Sequence, residues 1–157
     1  MSDAPRKNRK QVVEALHEVA AEMHNRMQRG DPPRMTLPVR TKTNISFDNK
    51  LGVFKYGKNK TVRDATKLGS ARQLLRTLHI TEFIEEMIDS GKSSTLREMY
   101  YISEGWGNGK FGSQNESNNL AEDLEIVTKC LREDFKLRPE EDGARIIGNI
   151  TVEERNR

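Results

Sequence analysis

The sequence predicts an α+β domain organised round a helix-turn-helix, with a helical extension before it, and three observations carry that expectation. Residues 94–103 open with a helix-cap signal and then separate into an apolar and a polar face. A long apolar-periodic stretch, 70–90, precedes them across a short turn at Gly91. After a further periodic stretch, Leu137-Arg138, a turn through Asp142-Gly143 and residues 145–152 read as a hairpin. Two helices joined by a Gly-containing turn, then a third helix and a hairpin, make a winged helix of the catabolite-activator type.

Residues 1–34 form the extension. Its first eight or so residues are polar and expected to be disordered. From 9 to 29, Val12, Val13, Leu16, Val19, Ala20, Met23 and Met27 recur at helical spacing, and Gly30-Asp31-Pro32-Pro33 stops the helix. The stripe has to be covered. A docking arm for a partner is the expected use, with packing on its own domain or on a second copy as the alternative. Residues 35–69 lead into the domain. Thr41, Thr43, Ile45 and Phe47 alternate, Asp48-Asn49 reads as a turn, and Val53–Tyr56 follows as a second short strand. Lys58, Lys60 and Arg63 sit round a polar loop that phosphate contact or plain solvation would equally explain.

Residues 70–152 are the domain proper, and 153–157 read as the start of a linker. Leu74, Leu75 and Leu78 share a face, then Phe83, Ile84, Met87 and Ile88 take over on a rotated one. One long helix or two short ones with a bend near His79–Thr81 would do this. The glycine-rich segment from Gly105 to Gly112 reads as a connector anchored by Trp106. Ser117 is the expected cap of the next helix, whose stripe is Leu120, Leu124, Val127 and Leu131; Glu122, Asp123 and Glu125 read as its solvated face.

Composition narrows the partners. Charged residues make up 32% and net charge is +3, with a mean hydropathy of −0.83, which fits a soluble, surface-rich protein. No apolar run approaches a membrane span and no signal peptide is visible, so a cytoplasmic, nucleoid-associated protein is expected. Cys130, the one cysteine, excludes an internal disulfide and reads as a small buried hydrophobe in a helix. With only His17, His24 and His79 beside it, no metal-ligand spacing arises; His17 and His24 read as a solvated helix face. The charge is uneven: residues 1–63 carry 14 Lys and Arg against 6 Asp and Glu, while the rest is slightly negative. An excess of this kind suits a polyanion, because neutralised phosphates release counterions.

Residues 94–103 carry the chemistry. Thr95 followed three residues later by Glu98 is a capping-box signature, so Leu96 opens the helix. At 3.6 residues per turn Leu96, Met99 and Tyr100 face a core, whereas Arg97 and Tyr101, four apart, share a wet arc. A guanidinium can fork onto phosphate oxygens, and a phenol oxygen is a potential nucleophile. The stretch Thr95-Leu96-Arg97-Glu98-Met99-Tyr100-Tyr101-Ile102-Ser103-Glu104, then Trp106-Gly107, Gln114, Glu116-Ser117-Asn118 and Ala121-Glu122-Asp123-Leu124-Glu125, resembles the A subunits of topoisomerase VI. These are the type IIB DNA topoisomerases, related to the meiotic double-strand-break transesterases.

The resemblance implies that Tyr101, the second tyrosine of the pair, attacks a DNA phosphodiester and forms a 5′-phosphotyrosyl bond. Arg97 would orient the phosphate or stabilise its transition-state charge, and capping is role enough for Glu98. Arg72, Arg76 and Lys92 are the further candidate phosphate contacts. No metal ligands are expected in this chain. The resemblance places magnesium in a Toprim domain, which this sequence does not include, and ATP on a B subunit. Implied partners are double-stranded DNA, the B subunit, whose transducer would receive the N-terminal helix, and a second A subunit in an A2B2 assembly. No membrane is implied. The fragment alone is expected to bind DNA without cleaving it. The rival readings are a non-enzymatic winged-helix DNA-binding regulator, a double-strand-break transesterase relative, and a truncated product that only occupies the B subunit.

Overall fold

A computed structural model describes residues 7–50 and 53–138. The first helix, α1 (Arg9–Gln28), begins at Asn8, whose side chain accepts from the Gln11 amide while the Gln11 side chain accepts from the Asn8 amide. Two otherwise orphan donors are thereby satisfied, and the cap at Asn8 falls in the stretch expected to be disordered. Val12, Leu16, Val19 and Met23 are buried, whereas Met27 is exposed. These four join a single core with α2 (Leu68–Ser90) and α4 (Gln114–Thr128). Burying each contributes about 1.5–3 kcal/mol, so lifting α1 onto a partner would forfeit roughly 6–12 kcal/mol before any new contact formed. The stripe is thus covered by its own domain, the alternative set beside the docking arm above. His17 on α1 also reaches Glu85 on α2, Nε2 to Oε1 2.9 Å, so it is more than a solvated side chain.

Strand β1 (Arg34–Pro38) pairs antiparallel with β4 (Lys60–Asp64), Thr36 opposite Val62. Met35 and Leu37 point into the core from β1. Lys60 and Arg63 thus lie on a strand, where a polar loop was expected. Between these strands, β2 (Ile45–Asp48) and β3 (Val53–Tyr56) form the predicted hairpin. Residues 42–44, expected to continue the alternation, make a 3-10 turn that buries Asn44. The Asn44 amide donates to the carbonyls of Val39 and Asn59, and its oxygen accepts from the Asn59 amide.

Helix α2 runs without interruption through His79–Thr81. The hydroxyls of Thr77 and Thr81 bond back to carbonyls four residues earlier. Its rotating apolar face serves several neighbours, α1, α4 and β4 among them. Gly91 ends it at φ +67, a left-handed conformation that glycine adopts without penalty, with the Gly91 and Lys92 amides closing onto Ile88 and Met87. The chain then enters β5 (Ser94–Thr95) and α3 (Leu96–Ile102). Strand β5 pairs parallel with β6 (Leu137–Arg138), the described start of the expected hairpin; the rest of that wing lies outside the described residues. The result is an α+β arrangement compatible with a winged-helix-like domain.

Helix α4 departs from expectation at both ends. Its cap is Ser113, whose hydroxyl accepts from the Glu116 amide, not Ser117, which is buried inside the helix. It stops at Thr128 because Lys129 takes φ +54. Leu120 and Leu124 are buried and Val127 is half-buried. Leu131 lies beyond the end and is exposed. Cys130, just past the helix, is buried as a small hydrophobe.

Candidate nucleic-acid interface

The Tyr101 helix is fixed at both ends by bonds that its own sequence supplies. Thr95 Oγ1 accepts from the Glu98 amide at 3.0 Å. The Glu98 carboxylate accepts from the Ser94 hydroxyl at 2.7 Å, which makes it a brace for the strand before the helix and leaves the capping box half formed. At the other end Ser103, fully buried, donates to the Tyr100 carbonyl at 2.6 Å and accepts from the Phe111 amide at 3.3 Å. Leu96 and Met99 are buried and Tyr100 packs against the core. Tyr101 is 62% exposed, and Arg97 is exposed one turn before it. The two tyrosine rings lie 5.5 Å apart at 54°, so the Tyr100 ring backs that of Tyr101.

The glycine-rich connector behind this helix consists of two 3-10 turns, Ser103–Gly105 and Gly107–Gly109. Trp106 stacks on His79, centroids 5.0 Å apart at 16°, and meets Phe111 edge-on at 5.5 Å. The expected anchoring role of Trp106 is observed. Glycine at 109 leaves room for the stack, since a Cβ there would run into the His79 ring.

Arg76, a candidate phosphate contact, is turned inward. Its Nε and Nη2 donate to the Lys110 carbonyl at 2.9 and 2.5 Å, its Nη1 pairs with Glu116, and its guanidinium lies 6.0 Å from the Phe111 ring centre. It braces the connector against α2 and α4. Arg72 is exposed near the start of α2, and Lys92 is exposed in the turn after its end. Eighteen residues separate Arg72 from Ser90, about 27 Å of helix at 1.5 Å per residue. Arg97, Tyr101 and the Lys92 turn thus lie close in sequence around α3, whereas Arg72 stands well apart from Lys92. Lys110 donates to Glu104 at 2.9 Å, a bond that holds its ammonium pKa above the usual value.

One buried charge cluster has no counterpart among the sequence expectations. Asp123, expected on a solvated face, is 3% exposed and pairs with both Arg40, after β1, and Arg63, on β4. Arg40 also donates to Glu122 at 2.6 Å. Glu125 is paired with Arg132 at 2.5 Å; burial raises its pKa, opposed by that arginine. Among the described residues no three His, Cys, Asp or Glu side chains come together as a metal-holding group. No described helix is long and apolar enough to cross a membrane.

Similarity to known proteins spans the segment containing Tyr101. A model of the type IIB DNA topoisomerase family matches residues 72–137. Residues 72–137 belong to that family. Its relatives include the A subunit of the type 2 DNA topoisomerase 6 of Halobacterium salinarum, 40% identical over the whole of this chain and 43% of that protein. The corresponding A subunit from Archaeoglobus fulgidus is 43% identical over 94% of this chain and 41% of its own length. That of Methanosarcina barkeri is 45% identical over 90% and 38%. The chain therefore spans about two fifths of the length of these topoisomerase A subunits.

Proposed function

We propose that this chain is the DNA-binding, nucleophile-bearing domain of a type IIB topoisomerase A subunit, built as a winged helix. The observation that carries the reading is the division of labour within the tyrosine pair: Tyr100 is packed against the core while Tyr101 is presented to solvent one turn from Arg97. In the proposed reaction the Tyr101 oxygen bonds to phosphorus, the bond from phosphorus to the 3′ oxygen breaks, and a 3′-hydroxyl leaves. The phenol proton passes to solvent or to the departing oxygen. Because one phosphoester replaces another, the reverse attack by the 3′-hydroxyl reseals the strand. Arg97 holds a non-bridging phosphate oxygen and stabilises the negative charge that develops there. The buried end of α3 limits the nucleophile's search, since Leu96, Met99 and Ser103 fix the helix that carries it.

Strand passage, magnesium on a Toprim domain, an A2B2 assembly and ATP on a B subunit belong to this proposal for the whole enzyme. Arg72 and Lys92 are proposed phosphate contacts; Arg76 is assigned a bracing role instead.

The test joins this domain to the remainder of the A polypeptide of a relative, then supplies the B subunit, magnesium, an ATP analogue and end-labelled duplex. Denaturing gels then compare the parent with Tyr100→Phe and Tyr101→Phe. A protein–DNA adduct lost only with Tyr101→Phe is the expected result. Loss only with Tyr100→Phe would assign the chemistry to Tyr100 and overturn the reading. DNA binding with no adduct from any version would favour a non-enzymatic winged-helix DNA binder.

A further inference from the structure

The β2–β3 hairpin stands outside the core and carries an unusual surface. Phe47 and Phe54 are directly opposite in the antiparallel register, and Ile45 is opposite Tyr56, so alternation places all four on one face. The Phe47 and Phe54 rings are 5.0 Å apart, yet they are 50% and 73% exposed, and Tyr56 is 44% exposed. The hairpin packs against the 3-10 turn before it, and none of its described side chains is among the buried core. An exposed aromatic pair outside the buried core marks an interaction surface.

Charge identifies the occupant. Residues 40–63 hold seven Lys and Arg against one Asp, while the entire chain nets only +3. Arg40 and Arg63 are committed to Asp123, and Lys55 to Asp48 at 2.6 Å. Lys42, Lys50, Lys58 and Lys60 remain exposed around the hairpin. A cationic ribbon with planar apolar rings on one face suits DNA, whose phosphates take the lysines and whose bases accept rings in a groove. A two-stranded ribbon fits the width of the major groove, where apolar side chains meet thymine methyl groups.

We propose that the β2–β3 hairpin is a second duplex-DNA-contacting element, separate from the Tyr101 helix, with its lysines on phosphates and the Phe47–Phe54 pair against bases. This rests on the DNA-binding reading above and extends it to a surface that takes no part in the cleavage chemistry.

The test measures binding of the 157-residue chain to a fluorescent duplex by anisotropy at several salt concentrations. Three variants are compared with the parent: Phe47→Ala with Phe54→Ala, Lys50→Gln with Lys58→Gln and Lys60→Gln, and Arg72→Gln with Lys92→Gln. The phenylalanine variant is expected to weaken binding at least about tenfold with the salt slope unchanged, as for lost ring–base contact. The lysine variant, which leaves the hairpin's apolar pair in place, should reduce the slope of log K against log salt by roughly 2 to 3. Both hairpin variants binding within twofold of the parent, with only Arg72→Gln and Lys92→Gln impaired, would overturn the hairpin proposal and leave the first reading standing. Failure of the parent to bind would overturn both. Unchanged DNA binding with loss of self-association in sedimentation would make the hairpin a contact between copies, which also overturns it.

Discussion

Removing the Asp123 carboxylate charge tests how α4 is held to the β1–β4 ribbon. Its side chain is 4% exposed and meets two guanidiniums, from Arg40 and Arg63, which are 30% and 21% exposed. In Asp123→Asn the volume is kept while both arginines lose their anion. Breaking a fully buried ion pair by removing one partner costs about 3–5 kcal/mol. Both arginines retain some solvent access and Arg40 keeps Glu122, so the loss is discounted to about 2–3 kcal/mol. Urea unfolding followed by far-ultraviolet circular dichroism measures it. With a slope of about 2 kcal/mol per molar, the midpoint should fall by roughly 1–1.5 M at unchanged slope. A midpoint within about 0.2 M of the parent would show that the clamp contributes nothing net. Replacing Arg63 by Met together with Asp123 by Leu should recover part of the loss, since an apolar pair of similar volume removes the desolvation cost.

Three further outcomes follow from the site. Arg76→Met should destabilise by about 1.5–3 kcal/mol, read as a fall in Tm, while leaving the salt slope of DNA binding unchanged, because the guanidinium serves Glu116 and the Lys110 carbonyl. Gly109→Ala should cost about 1–3 kcal/mol through overpacking and alter Trp106 fluorescence by displacing His79 from the stack. Glu125 binds its proton more tightly when folded than unfolded, so its contribution to stability is greatest at low pH and declines as pH rises through the unfolded and then the raised folded pKa. Glu125→Gln should flatten that part of the stability–pH curve measured by urea titration between about pH 4 and 7; an unaltered curve would contradict the assignment.

The position of Tyr101 was legible because it depends on neighbours in sequence. Thr95 caps the helix, Leu96 and Met99 set its buried face, and the 100° step from Tyr100 carries Tyr101 into solvent. The same local logic predicted α1, the β2–β3 hairpin and the stop at Gly91. The cap of α4 was also written locally, as Ser113 followed three residues on by Glu116, and Ser117 was a misreading of available signal. The destination of the α1 stripe was different: periodicity states that a face must be covered but not by what.

Pairings between residues distant in the chain arise only once the core has assembled. Asp123 looks like any helix-surface acid until β1 and β4 bring Arg40 and Arg63 from 83 and 60 positions away. Arg76 reads as a phosphate contact until the connector delivers the Lys110 carbonyl and α4 delivers Glu116. Residues 60–64 read as loop because a short polar strand has no period of its own and becomes a strand only by pairing with β1. Helix caps and faces are fixed by contacts within a turn or two, which a sequence encodes directly. Ion pairs and strand pairing depend on which segments the core brings together, and the buried environment that gives a charge its partner exists only after the chain has folded.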